Sequence, residues 1–219
     1  SVFNIFEESK AYKKLNCPLC KYPGTYFYKT EFYLCGNCFG IFKDAGTYLS
    51  AEDEKVRYEK HKNDVYDIGY QQFVFPMTSY ILNNFALSQR GLDFGSGTGS
   101  AVSKILQDHN YHIKQYDPFF TDKQVLTGQK YNYIACCEVM EHFQNPDKEF
   151  QLLYELLEQN GTLICMTHLY HPSIDFHRWY YKNDPTHIFF YQKETIDYIA
   201  WKYRYSSAFI DHRLIVFKK

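Results

Sequence analysis

Two groups of residues have the types and spacing to do chemistry. The stretches "CPLC" and "CGNC" place Cys17, Cys20, Cys35 and Cys38 in two close pairs, fourteen residues apart. Two such pairs facing each other across strands supply four thiolates in the tetrahedral arrangement that zinc takes in closed structural sites. Either pair alone would also suit a redox dithiol, but the two together point to structural zinc. The second group is "GLDFGSGTGS", in which Asp93 precedes Gly95, Gly97 and Gly99. Glycines after a strand-like run let the backbone approach a ligand closely, and the N–H groups of the helix that follows favour polar or anionic groups. The next strand-like run, "HIKQY", ends at Asp117. In a doubly wound sheet that carboxylate stands beside the loop, where it can accept hydrogen bonds from ribose hydroxyls.

The elements that must position these groups are legible in the patterning. The residues between the cysteine pairs, "KYPGTYFYKTEFYL", alternate Tyr, Phe and Thr and read as a short hairpin. A charged stretch follows, with helical spacing in "AEDEKVRYEKH" and Ser50 as its N-cap. "YQQFVFPMTSYILNNFAL" is a second amphipathic segment, expected to break near Pro76. Beyond the glycine loop, "TGSAVSKILQDH" continues at helical spacing, and "YNYIACC" is a strand. Asn145 and Pro146 open a further helix with a stripe of Leu152, Leu153, Leu156 and Leu157, and Gly161 follows it. The tail reads as two strands joined tightly at Asp211-His212. The expected division is residues 1–45 as a zinc-ribbon segment, 46–69 as a connector helix, and 70–219 as an α/β domain.

With 45% hydrophobic and 22% charged residues, and 22 Tyr and 19 Phe, the chain carries far too much apolar surface for a disordered segment. A net charge of -1 gives no global field to draw nucleic acid or an anionic membrane. No apolar run approaches the length of a membrane span and the N-terminal stretch lacks a secretory apolar core, so the expected location is cytoplasmic. Cys136, Cys137 and Cys165 lie in apolar runs and read as small core hydrophobes rather than disulfide partners.

The dinucleotide fingerprint G-x-G-x-x-G wants a small third residue where Ser100 stands. An acidic residue two positions before G-x-G-x-G fits another pattern: the chain resembles the class I S-adenosylmethionine-dependent methyltransferases, whose first motif has this form and whose second strand ends in an acidic residue like Asp117. "YNYIACCEVMEHF", residues 131–143, is similar to that superfamily's fourth strand and the E-x-x-E-H turn after it. With its cysteine-rich head, the chain looks like a bacterial group of such enzymes that carry an N-terminal zinc ribbon. The resemblance implies a doubly wound Rossmann-like methyltransferase sheet, mostly parallel with an antiparallel last strand. It also implies S-adenosyl-L-methionine as cofactor, held by Asp93, Gly95, Gly97, Gly99, Asp117 and Glu138. One departure stands out: thirteen residues separate Asp117 from Tyr131, too few for a helix, a third strand and a loop. The sheet edge is therefore expected to be abbreviated.

Methyl transfer is an in-line displacement, for which the protein supplies alignment and, where the acceptor carries a proton, a base. His187, in "NDPTH", and His142, in the E-x-x-E-H turn, are the candidate catalytic residues. For His187 a structural role, satisfying a backbone carbonyl, stands beside the functional one. His168, His171 and His177 share an aromatic segment with Trp179, Tyr180, Tyr181 and Tyr191; no two of these histidines have the i, i+4 spacing of H-E-x-x-H, so a metal site is the lesser expectation, although His168 and His171 are close enough for ligation. Tyr58, His61 and Asn63 are further candidates to cover the cofactor from the connector, with a solvated helix face as the favoured alternative. The expected partner is a small-molecule methyl acceptor. RNA methylation with the ribbon docked on nucleic acid, and a non-catalytic binding module, are the alternatives; oligomeric state is open.

Overall fold

The structure is a computed structural model that describes residues 13–29, 31–60 and 64–219. The cysteine-rich head forms three antiparallel strands, β1 (Gly24–Tyr28), β2 (Phe32–Cys35) and β3 (Ile41–Lys43). Each C-x-x-C pair turns as a knuckle: the residue after the second cysteine, Lys21 in one and Phe39 in the other, sits at positive φ (64° and 59°), and its N–H donates to the carbonyl of the first cysteine.

Helix α1 (Ala51–Lys60) begins where Ser50 Oγ accepts the N–H of Asp53 at 3.1 Å, with Glu52, Asp53 and Glu54 in its first turn and Arg57 and Lys60 in its last. That charge order complements the helix dipole, and the helix buries no residue fully. Helix α2 (Ile68–Asn84) is capped by Asp67, which accepts from Tyr70 N–H at 2.7 Å. It runs unbroken through Pro76, contrary to the break expected there. Pro76 is exposed, while Val74, Met77, Thr78 and Ile81 are buried on either side of it.

The remaining elements are β4 (Arg90–Phe94), α3 (Ala101–Asp108), β5 (His112–Tyr116), β6 (Tyr131–Cys137), α4 (Pro146–Leu156), β7 (Leu157–Met166), β8 (Phe189–Phe190), α5 (Lys193–Lys202), β9 (Ser207–Asp211) and β10 (Leu214–Lys218). Six strands form one sheet in the order β5-β4-β6-β7-β10-β9, in which β5, β4, β6 and β7 pair in parallel and β10 runs antiparallel to both neighbours. Alternation along β6 sends Tyr133 and Ala135 to a face covered by α2 and α3, and Ile134 and Cys136 to a face covered by α4 and α5. This is the doubly wound, Rossmann-like architecture expected. Between Asp117 and Tyr131 the chain makes only a short 3-10 turn at Lys123–Leu126, which leaves β5 at the sheet edge.

Helix α4 starts as expected, with Asn145 Oδ1 accepting from Lys148 N–H at 3.3 Å and Pro146 in the first turn. It ends at Leu156, and Gly161 lies inside β7 rather than at the helix terminus. There Asn160 takes φ 63° and the β6–β7 register breaks between Tyr131 and Tyr133, so the glycine serves a strand irregularity.

The head is continuous with the larger domain. Strand β3 pairs with β8, making a second sheet in the order β1-β2-β3-β8, and Cys17, Leu19, Tyr33 and Phe42 join the core beneath α4 and α5. A third cluster of Phe32, Ile41, Phe176, Trp179, Tyr181 and Phe190 fills the seam. Much of the aromatic segment after β7 packs in this seam, and Tyr191, buried in the main core, donates to Met140 O at 2.7 Å. Among the described residues no helix is long and apolar enough to cross a membrane.

Candidate functional site

The carboxyl ends of β4, β5 and β6 open on a cavity of about 560 Å³, the position where ligands bind in open α/β sheets. Gly95 and Gly97 line it at φ +83° and +60°. A Cβ on Gly95 would come within 2.5 Å of Val139, so both the backbone and the space require glycine there. The N–H groups of Gly95 and Ser96 donate to Tyr116 O, and Gly97 N–H donates to Asp117 Oδ2 at 2.9 Å. Asp117 Oδ1 accepts from Phe119 N–H at 2.9 Å. The loop is thus fastened to the end of β5 through the acidic residue expected beside it, and Asp117 keeps further lone pairs on the cavity side.

Asp93 lies under the loop, 2% exposed, accepting from Ser100 Oγ at 2.5 Å and Ser103 Oγ at 2.6 Å. Burial raises its carboxyl above the usual range, and the two hydroxyls offset part of that rise. Ser100, a mismatch to the dinucleotide fingerprint, is the N-cap of α3 and ties that helix to Asp93. Gly95 and Gly97 line the cavity and Gly99 does not.

At the other end of the cavity stand Glu138, His142 and His187, with Glu54 and Tyr58 of α1 above them and Glu141 buried behind. Glu138 takes φ +52° and donates its N–H to Met166 O at 2.8 Å. Its Oε2 accepts from Arg213 Nη2 at 2.7 Å and lies 2.9 Å from the Tyr181 hydroxyl oxygen, while Oε1 is buried without a partner. Glu141 accepts from Tyr181 at 2.5 Å and Thr167 Oγ1 at 3.1 Å. Burial pushes both carboxyls up to about 7; the Glu141 carboxylate adds to the rise at Glu138, and Arg213 opposes the rise at both.

His142 Nδ1 lies 2.9 Å from Thr186 O and 3.1 Å from the Tyr58 hydroxyl; His187 Nδ1 lies 2.6 Å from Tyr181 O. A carbonyl only accepts, so each Nδ1 carries the proton it shares with that carbonyl. Both Nε2 atoms lie 3.9 Å from Glu141 Oε1. Burial, with His142 beside it, lowers His187 to about 4, so its ring is neutral near pH 7. His187 therefore does satisfy a backbone carbonyl, and in doing so turns its other nitrogen toward the cavity group.

Of the remaining histidines of that segment, His168 packs on Trp179, His171 bonds Ser173, and His177 bonds the Tyr28 hydroxyl at 2.6 Å; none lines the cavity. Tyr58 lines it, whereas His61 and Asn63 lie outside the described residues. Arg213, Thr167 and Tyr181 carried no local signal for the carboxylate network they complete. Asp184 feels the upward pull of burial, but Arg57 at 2.9 Å and Thr186 hold it well below the usual carboxylate range.

In the head, Cys17 Sγ lies 3.5 Å from Cys38 Sγ and Cys20 Sγ lies 3.3 Å from Cys35 Sγ, with all four sulfurs within 4.8 Å of one another. These separations are far beyond a disulfide bond. They are near the sulfur spacing of about 3.8 Å that a tetrahedral zinc site with 2.3 Å bonds requires.

A family model described as a methyltransferase domain matches residues 66–205. Among solved structures, an O-methyltransferase family protein from Burkholderia thailandensis superposes with a TM-score of 0.54 at 10% identity, covering 75% of this chain and 61% of that one. An S-adenosylmethionine-dependent methyltransferase from Archaeoglobus fulgidus gives 0.54 at 15% identity, covering 68% and 94%. Phosphoethanolamine N-methyltransferase 2 of Haemonchus contortus, solved with S-adenosyl-L-methionine, gives 0.52 at 14% identity, covering 78% and 47%. The chain thus spans less than two thirds of the first and third of these proteins. At such identities the likeness is one of fold. No curated protein matches the chain.

Proposed function

The chain belongs to the methyltransferase-domain family, and from that premise we propose that it transfers the methyl group of S-adenosyl-L-methionine to a small-molecule acceptor. The observation that carries the reading is the charge of the cavity. Its lining includes Asp117, Glu54 and Glu149, with Glu138 and Asp184 paired to Arg213 and Arg57 from behind and Asp93 buried beneath the loop, and, among the described residues, no lysine or arginine lines it. A sulfonium and an α-ammonium group are welcome in such a site, whereas the pyrophosphate of a dinucleotide or the backbone of RNA is repelled.

In this reading Gly95 and Gly97 lie against the cofactor, Asp117 accepts from its ribose hydroxyls, and Asp93 and Gly99 hold the loop from beneath. Glu138 stands at the boundary with the acceptor side, where His142 and His187 present Nε2. Cys17, Cys20, Cys35 and Cys38 hold a structural zinc ion in the ribbon segment, residues 1–45, whose β3 pairs with β8; residues 46–69 connect it to the domain of residues 70–219, and Glu54 and Tyr58 of α1 line the cavity. The volume suits a cofactor with a small acceptor.

The test is incubation of the zinc-replete chain with methyl-labelled S-adenosylmethionine and, in parallel, metabolite, RNA and protein fractions of a cell extract. Label appearing in the metabolite fraction is the expected outcome. Label in RNA would replace this reading with the ribbon-docking one, and bound cofactor without transfer to any fraction would make the chain a binding module.

A further inference from the structure

The acceptor end of the cavity contains an arrangement that methyl transfer by itself does not call for. Glu141 Oε1 and the Nε2 atoms of His142 and His187 converge, two of the separations being 3.9 Å, and the ligand atoms of the three residues all lie within 4.8 Å of one another. At 3.9 Å neither imidazole hydrogen-bonds the carboxylate, and each Nδ1–H is given to a backbone carbonyl, which turns each Nε2 toward Glu141. Imidazoles held through Nδ1–H to a carbonyl, with Nε2 aimed inward, are in the orientation that metal ligation uses. A second, independent observation is the buried, unpartnered Oε1 of Glu138, whose carboxylate is joined to that of Glu141 through the Tyr181 hydroxyl.

We propose that Glu141, His142 and His187 hold a divalent transition-metal cation, with Glu138 as a further oxygen donor and an open coordination position turned to the cavity. Bonds of about 2.0–2.2 Å place neighbouring ligands roughly 3 Å apart, so each side chain moves by under about 1 Å to close the site. Mixed imidazole and carboxylate donors favour ions of the manganese-to-zinc series over magnesium or calcium. The carboxylate-rich lining supplies the compensating charge.

This deepens the methyltransferase reading and rests on it for the substrate class: the acceptor atom is a hydroxyl oxygen, best one of two adjacent hydroxyls that can both approach the cation. Metal contact makes the hydroxyl more acidic. Its proton leaves to solvent, the oxygen forms the new bond to the methyl carbon, and the carbon–sulfur bond breaks with its electron pair staying on sulfur, so that S-adenosylhomocysteine and the methyl ether are the products.

The experiment is titration of the zinc-replete full chain with Mn2+, followed by loss of the electron paramagnetic resonance signal of aqueous Mn2+, alongside calorimetry with S-adenosylmethionine. The wild type is expected to take up one Mn2+ per chain. His142→Ala with His187→Ala, and separately Glu141→Gln, are expected to weaken uptake at least about tenfold while thermal unfolding reports a folded chain. Absence of Mn2+ uptake by the wild type, or equal uptake by a folded variant, would overturn the site. Mn2+ uptake without cofactor binding would sink the methyltransferase reading alone, and cofactor binding without Mn2+ uptake would sink the metal site alone.

Discussion

Gly97 donates its backbone N–H to Oδ2 of Asp117 at 2.9 Å, twenty residues along the chain. The contact joins the glycine loop after β4 to the end of β5, so that the two features that mark a nucleoside site in the sequence form one rigid rim of one cavity. Much of the account depends on that rim.

Asp117→Ala is accordingly expected to weaken S-adenosylmethionine binding by roughly 10- to 100-fold, through loss of charge-assisted bonds to the ribose and loosening of the loop. Calorimetry measures the affinity, and zinc content by atomic absorption should not change. Equal affinity in the two proteins would show that the carboxylate serves the loop alone.

If Cys17, Cys20, Cys35 and Cys38 hold zinc as proposed, its removal should destabilise the whole chain. Because β3 pairs with β8 and Cys17, Leu19, Tyr33 and Phe42 share the domain core, chelation is predicted to lower the single unfolding midpoint by at least about 10 °C. Differential scanning calorimetry with and without chelator reads this. A domain transition that stays in place while only the ribbon becomes protease-sensitive would contradict it.

How far the sequence carried these conclusions depends on the distance over which each feature is encoded. The cysteine pairs, the glycine loop, the Ser50 and Asn145 caps and the final hairpin are local, since spacing and turn chemistry within a few residues specify them. The short span after Asp117 likewise foretold the truncated sheet edge. Pairings across long separations were not legible: the union of β3 with β8, the contact of Arg213 with Glu138 at 2.7 Å, and the meeting of His142 with His187. An aromatic run reads alike whether it packs on a ligand or on a ribbon, and here Trp179 and Tyr181 pack in the seam. Pro76 misled because a rule about helix interiors gave way to a buried stripe on the opposite face.

Ser100→Ala removes both the N-cap of α3 and a donor to the buried Asp93 carboxylate. A loss of about 2–3 kcal/mol is expected in urea unfolding. Ser103→Ala removes a donor to the same oxygen and leaves the capping side chain in place, and should cost less. A smaller loss for Ser100→Ala than for Ser103→Ala would refute the role given to that serine.

Pro76→Ala should stabilise. Pro76 sits exposed within an unbroken helix, where alanine restores a backbone donor and removes a steric conflict. The gain is predicted at about 1–3 kcal/mol, and a thermal melt that shows a lower midpoint for the variant would count against the account of α2.

The central claim is that the cavity beside Asp117 receives S-adenosylmethionine, and calorimetric titration of the zinc-replete chain with that cofactor and, separately, with NAD tests it most directly. Binding of one S-adenosylmethionine per chain, with no heat from NAD, is the predicted result. Binding of NAD alone, or of neither, would contradict it.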